Sequence, residues 1–133
     1  MSLDNKDLAQ LNISKIGKIN DLNTKTGIPS FYVTPDQKTD DVNEIIKINK
    51  SMKLKFDKNV NYGKHSIHVE NVKLLEITDL HLRGNIYLKN STLVLKNSVI
   101  EDPPKEMDYI VVVCDNSNCT LRNCVLQHSN LYG

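Results

Sequence analysis

The sequence is poor in the residues that build helices and base-stacking surfaces. It contains one alanine, Ala9, no tryptophan and only 5% aromatic residues. Because alanine is the best helix former, its scarcity beside 16 asparagines disfavours a helical bundle and favours short strands joined by turns. Seventeen basic residues balance sixteen acidic ones without a long basic run, so no nucleic-acid partner is predicted.

The chain also lacks a membrane-spanning run and a secretory signal. Its longest apolar run, Tyr109 to Cys114, is far shorter than the ~20 residues of a transmembrane helix. Residues 1–7 contain no apolar segment of the kind that a signal peptide needs. We therefore predict cytosolic synthesis and no membrane insertion. The five glycines are scattered and form no phosphate-binding loop, and no cofactor is predicted.

From residue 65 onward the sequence repeats a pattern of alternating apolar residues. Three eight-residue segments align, and they begin at Leu75, Leu93 and Cys119. Each has a small or apolar residue at positions 1, 3, 6 and 8 and an Asp or Asn at position 5. The segments are offset by 18 and 26 residues, and an insertion at 101–108 accounts for the larger offset. Such self-similarity indicates a repeat architecture.

The change of spacing at position 5 predicts a corner between two short strands. Positions 1 and 3 face inward from the first strand, and positions 6 and 8 face inward from the next. The corner residues Asp79, Asn97 and Asn123 are predicted to stack as a side-chain ladder between successive coils. Three short strands in a coil of about 18–26 residues are typical of a parallel β-helix.

Three cysteines, Cys114, Cys119 and Cys124, lie within eleven residues. Their even spacing of five matches no common zinc pattern, and an odd number is a poor disulfide framework. All three fall on positions that the repeat predicts to face inward. We therefore expect free thiols that pack in the core as small apolar groups.

The first half of the chain divides into two predicted parts. Residues 1–38 are irregular and are predicted to be a leader or neck, with an oligomer contact as one role. The β-helix domain is predicted to span residues 39–133. Residues 39–50 have apolar positions at helical spacing, and Asp41 with Glu44 forms a possible capping box, so a short helix is predicted there.

Residues 39–63 resemble the opening of right-handed parallel β-helices of the pectate-lyase type, which occur in bacteriophage tail spikes and polysaccharide-degrading enzymes. The matching features are Thr39-Asp40-Asp41, a helix from Val42 to Ile48, the strand around Lys55, and Tyr62-Gly63. The resemblance covers about residues 39–130. It implies an all-β fold: a short right-handed parallel β-helix of about three coils, with an N-terminal capping helix over its open core.

The outward-facing positions give few candidate site residues. No outward row is predicted to bring two carboxylates together, as glycoside hydrolysis requires, and no metal site is predicted. Lys96 and Arg122 form a small cationic stripe that suits an anionic sugar. The insertion, stiffened by Pro103-Pro104, is predicted to be an acidic recognition loop. Its acidic residues are Glu101, Asp102, Glu106 and Asp108.

Three functions fit this sequence. The first is a non-catalytic structural or receptor-binding module of the tail-spike type that contacts a bacterial surface polysaccharide, as a component of a virion or tail. The second is the N-terminal part, or a miniature, of a polysaccharide lyase or hydrolase. The third is a protein-interaction solenoid, such as a small inhibitor of a host protein. No capping element follows Leu126, so we expect either further chain or another subunit to cover that end, and a trimer is predicted.

Overall fold

A computed structural model gives the fold of residue 13 and of residues 16–22, 27–35, 44–62, 64–101 and 112–127. These described residues form twelve strands and no α-helix. The strands are β1 (Lys18–Asp21), β2 (Ser30–Thr34), β3 (Glu44–Ile48), β4 (Met52–Phe56), β5 (Lys64–Glu70), β6 (Leu75–Thr78), β7 (His81–Lys89), β8 (Thr92–Lys96), β9 (Val99–Glu101), β10 (Val112–Asp115), β11 (Asn118–Arg122) and β12 (Val125–Leu126).

The strands stack in register to form a solenoid. One sheet has the order β1-β2-β4-β6-β8-β11, in which only β1 runs antiparallel to its neighbour. A second sheet has the order β12-β9-β7-β5-β3, with β10 also paired to β7. The first part of β7 pairs with β9, whereas its second part pairs with β5 and β10. Each turn therefore has three sides, and the chain forms a β-solenoid of about three turns.

The interior is built from columns of apolar side chains, because alternate residues of every strand face inward. One column contains Leu75, Leu93 and Cys119, in register with one another. The next contains Ile77, Leu95 and Leu121. The leucines and isoleucine of the earlier turns are fully buried, whereas Leu121 in the last turn is 41% exposed. Burial therefore decreases toward the last turn.

Gly84 lies in β7 between the residues that pair with β9 and those that pair with β10, where the strand passes from one side of the solenoid to the next. Gly84 has φ 154°, a conformation that L-residues rarely adopt. A Cβ atom at this position would lie 1.9 Å from the backbone oxygen of His65, its neighbour in β5. Only glycine fits this position without displacing the adjacent strand.

The predicted N-terminal capping helix is wrong. Glu44–Ile48 forms β3, which pairs in parallel with β5. Ile46 and Ile48 are buried whereas Ile45 and Lys47 are exposed, so the two-residue period of a strand prevails over the helical spacing. Residues 39–43, with the predicted Asp41 cap, lie outside the described residues.

The prediction of three free core cysteines is wrong for Cys114 and Cys119, which are not free thiols, and is confirmed for Cys124, which packs against the core. The register places Cys114 beside Leu88 and Cys119 beside Leu93, in the inward columns of two adjacent sides of the last turn. Their Cα atoms are 6.7 Å apart, and the two residues form a disulfide. Cys114 is exposed, because no described strand stacks on its outer edge. Cys124 is a free thiol whose Sγ donates to the carbonyl oxygen of Leu95 at 3.2 Å.

Two strands of the predicted leader belong to the first sheet. β2 pairs in parallel with β4, and β1 adds to the outer edge of β2. Tyr62 links β2 to the residue that follows β4. Its hydroxyl donates to the carbonyl oxygen of Val33 at 2.9 Å and accepts from the amide of Asp57 at 3.1 Å. Burial is the main cause that raises the pKa of Tyr62 above 10.0.

Candidate functional site

The two residues of the predicted cationic stripe lie next to each other on the first sheet. Lys96 in β8 is the register partner of Arg122 in β11. Lys96 also lies near a carboxylate, since its Nζ is 3.8 Å from Oε2 of Glu76 in β6. The positive charge of the stripe is therefore partly balanced on the same sheet, which weakens its attraction for an anion.

The acidic insertion is represented in the described part of the chain by Glu101 alone. The Glu101 carboxylate contacts Nε2 of His81, which lies on the neighbouring turn. Asp102, Glu106 and Asp108 lie outside the described residues. The structure therefore places one acidic residue of the insertion, and a histidine accompanies it.

The predicted ladder residues occupy one corner of the solenoid. Asp79, Asn97 and Asn123 have φ values of 64°, 51° and 54°, so each turns the chain in the left-handed region that Asn and Asp tolerate. Nδ2 of Asn123 donates to Oδ1 of Asn97 at 2.8 Å. Backbone bonds join the same corner, since the amide of Asp79 donates to the oxygen of Lys96 and that of Asn97 to the oxygen of Arg122.

A second asparagine ladder, which the sequence analysis missed, occupies another corner. Asn71, Asn90 and Asn116 have φ values of 57°, 51° and 50°. Nδ2 of Asn90 donates to Oδ1 of Asn71 at 3.3 Å, and Nδ2 of Asn116 donates to Oδ1 of Asn90. The three residues precede the aligned segments by a few positions, so an alignment that begins at Leu75 leaves them out.

Serine residues complete these corners and supply a sequence signal for them. An Asn-Ser pair occurs at 90–91, 97–98 and 116–117. Ser98 accepts from the amide of Leu80 and Ser91 accepts from the amide of Val72, in each case on the preceding turn. The hydroxyl thus satisfies a buried backbone donor that the corner would leave unpaired. The repeated Asn-Ser pair could have located both ladders.

The second ladder lines a cleft with a volume of about 550 Å³. This size lies within the usual range for ligand pockets, although such pockets are mostly apolar and this one is not. Its lining consists mainly of amide and hydroxyl side chains. The lining residues are Asn71, Val72, Lys73, Asn90, Ser91, Thr92, Asn116 and Asn118.

A polar row lies on the side of the solenoid formed by β3, β5 and β7. The row contains the register neighbours Lys47, His68 and Tyr87. The ring centroids of His68 and Tyr87 are 5.6 Å apart. Nε2 of His68 is 3.0 Å from Oγ of Ser66, which also contacts Oδ1 of Asn85. Burial chiefly, and the charge of Lys47 secondarily, lower the pKa of His68 below 6.5.

Within the described residues, no group of three or more His, Cys, Asp or Glu side chains could hold a metal ion. That part of the chain also contains no helix that is long and apolar enough to cross a membrane. Fold and cleft together define a small β-solenoid with an amide-lined cleft at one corner. Comparison with protein-family models, with curated proteins and with solved structures finds no match.

Proposed function

We propose that this protein is a non-catalytic β-helix module, of the type found in bacteriophage tail spikes, that contacts a bacterial surface polysaccharide. The observation that carries this proposal is the cleft lined by Asn71, Asn90, Asn116 and Asn118. Amide groups both donate and accept hydrogen bonds, which matches sugar hydroxyls. The repeat that resembles pectate-lyase-type β-helices, without their capping helix, favours the same class of ligand.

The placement of Glu76 and Glu101 supports a binding role over glycoside hydrolysis by this pair. Glu76 lies on β6 near Lys96, and Glu101 lies on β9 beside His81. Glu76 and Glu101 lie on different sides of the solenoid, and each is next to a basic side chain. Hydrolysis instead needs two carboxyl groups that flank one bond.

Polysaccharide binding and cleavage should be measured in parallel. The labelled protein is tested for binding to immobilised bacterial capsular polysaccharides and to intact cells, and the same mixtures are assayed for new reducing ends and unsaturated sugars. Binding without sugar release is expected. Sugar release by the isolated chain would replace this proposal with the lyase or hydrolase. Failure to bind any of the polysaccharides would overturn it.

The module is proposed to act as a homotrimer, the arrangement that tail spikes suggest. Leu121, Val125 and Leu126 of the last turn are each between 39% and 47% exposed, so apolar surface is present that an association would cover. Size-exclusion chromatography with light scattering should give three times the chain mass of 15.1 kDa. A monomer at working concentration would overturn the trimer.

A further inference from the structure

We infer that the cleft over Asn71, Asn90 and Asn116 binds an uncharged, hydroxyl-rich sugar chain that runs along the solenoid axis. This inference rests on the proposed polysaccharide-binding function, and it adds the binding surface, the class of sugar and the direction of the chain. It gives the second asparagine ladder a role beyond turning the backbone.

The three amides form a regular row along the axis of the solenoid. They occupy equivalent corners of successive turns, so neighbouring amides are separated by the inter-strand distance of ~4.8 Å. Each is exposed to solvent. A sugar chain that lies parallel to the axis would therefore meet one amide from each turn.

The backbone holds this row in place before any ligand binds. The amide of Asn71 donates to the oxygen of Lys89, and the amide of Asn90 donates to the oxygen of Asp115, both at 3.0 Å. The Ser117 hydroxyl accepts from the amide of Ser91 at 3.0 Å. Because these groups are already ordered, binding loses little conformational entropy.

The ladder bonds leave hydrogen-bonding capacity for a ligand. An asparagine amide has two N–H donors and an oxygen with two lone pairs. Asn90 uses one N–H toward Asn71, and its oxygen accepts one bond from Asn116. A second donor and a second lone pair remain beyond the ladder bonds at this position, and a sugar hydroxyl can engage either one.

The charges around the cleft favour a neutral ligand. Lys73 is the one charged residue among those that line the described cleft. In the adjacent outward row, Glu70, Lys89 and Asp115 are register neighbours with alternating sign. Together with Lys73, this row carries two positive and two negative charges, so a polyanionic chain gains no net electrostatic attraction there and an uncharged chain loses nothing by lacking charge.

The other asparagine ladder supplies a matched control. Asn90 and Asn97 both have φ 51°, both precede a serine, and both belong to a corner ladder, but only Asn90 lines the cleft. Asn90→Gly and Asn97→Gly each remove one amide, and glycine adopts this conformation without strain. Asn118→Ala changes the cleft while it leaves all three ladder residues in place.

The experiment measures binding of the full chain and these three variants to immobilised neutral and acidic bacterial polysaccharides. The wild-type protein and Asn97→Gly should bind the neutral polysaccharides equally. Asn90→Gly should bind about tenfold more weakly and Asn118→Ala about threefold, as the loss of single hydrogen bonds predicts. Thermal unfolding of each variant establishes that it is folded, and Asn118→Ala provides the test if Asn90→Gly is not.

Several results would overturn the inference. Equal binding by Asn90→Gly, Asn118→Ala and Asn97→Gly would mean that the sugar contacts another surface, although the proposed function would stand. Binding restricted to acidic polysaccharides would likewise overturn the neutral ligand alone. Failure of the wild-type protein to bind any polysaccharide would overturn both the inference and the proposed function.

Discussion

Asparagine turns the corners of this solenoid at the scale of the single residue. In the described part of the chain, six residues other than glycine have positive φ: Asp79 and five asparagines. Asn and Asp adopt this conformation more readily than most residues because their short polar side chains bond locally. The abundance of asparagine in the sequence therefore reflects, in part, a backbone requirement that recurs once per corner.

Replacing Asn97 by leucine tests the corner ladder. The substitution places a bulky residue at φ 51° and removes the acceptor of the Asn123 side-chain bond. We expect a loss of about 1–3 kcal/mol in the free energy of unfolding. Asn97→Gly should lose less, because it removes the bond without the backbone strain. Urea denaturation measures both, and a leucine variant as stable as wild type would contradict the ladder.

Gly84 carries a second residue-scale prediction. Alanine there would bring Cβ to within 1.9 Å of the His65 oxygen, so β5 or β7 must shift. Overpacking and backbone strain of this kind cost about 3 kcal/mol. Gly27→Ala is the control, because a Cβ at that position meets nothing within 4 Å. If thermal unfolding showed the two variants to be equally stable, the close approach of the strands would be refuted.

At the scale of the element, the register of parallel strands decides which side chains meet. The order Leu75–Thr78, corner, His81 onward follows the spacing of apolar residues in the repeat. The apolar residues of region 39–50 fit a helix and a strand almost equally well. Pairing with β5 resolved that ambiguity, since a strand at Glu44–Ile48 completes the sheet and buries Ile46 and Ile48.

His68, in the polar row on β3, β5 and β7, predicts a pH dependence of the free energy of unfolding. The folded state lowers the pKa of His68, so the unfolded state, with a pKa near 6.5, binds the proton more readily. The contribution of His68 is complete above pH 6.5 and is lost as the pH falls through 6.5 toward the folded pKa.

Urea unfolding of the wild-type protein and of His68→Gln between pH 8 and pH 5 measures this contribution. The stability of the wild-type protein should fall more steeply on acidification than that of the variant. Carboxylates and the other histidines titrate in both proteins, so the difference between the two curves reports on His68. If the stability of both proteins fell equally with pH, His68 would have the same pKa in the folded and unfolded states, which would contradict this prediction.

At the scale of the whole molecule, the solenoid has a gradient of burial along its axis. Ile77, Leu95 and Leu121 occupy one column, but their exposed fractions are 0%, 0% and 41%. Each turn is stabilised mainly by the turns on either side of it, as in other repeat proteins. The middle turns should therefore contribute most to the stability of the fold.

Alanine substitution along this column tests the gradient. Leu95→Ala leaves a cavity between two turns and should cost about 2–5 kcal/mol. In a single chain Leu121→Ala removes the same atoms from a half-exposed position and should cost less than ~1 kcal/mol, whereas the proposed trimer would raise this cost by covering the residue. Equal losses in chemical denaturation would show that the last turn is covered in solution, as an associated subunit would cover it.

The sequence by itself determined the solenoid, because a repeat that alternates apolar residues and places Asp or Asn at a fixed position limits how coils can stack. It also predicted the columns that Leu75 and Leu93 occupy. Only the tertiary structure decided the secondary structure of residues whose local pattern is ambiguous and the contacts of residues whose partners are distant in sequence. It made 44–48 a strand, joined Cys114 to Cys119, and gathered Asn71, Asn90 and Asn116 at one corner. These outcomes depend on the register between turns. The insertion at 101–108 changes the spacing of the repeat, so that spacing alone does not give the register of the turn that follows it.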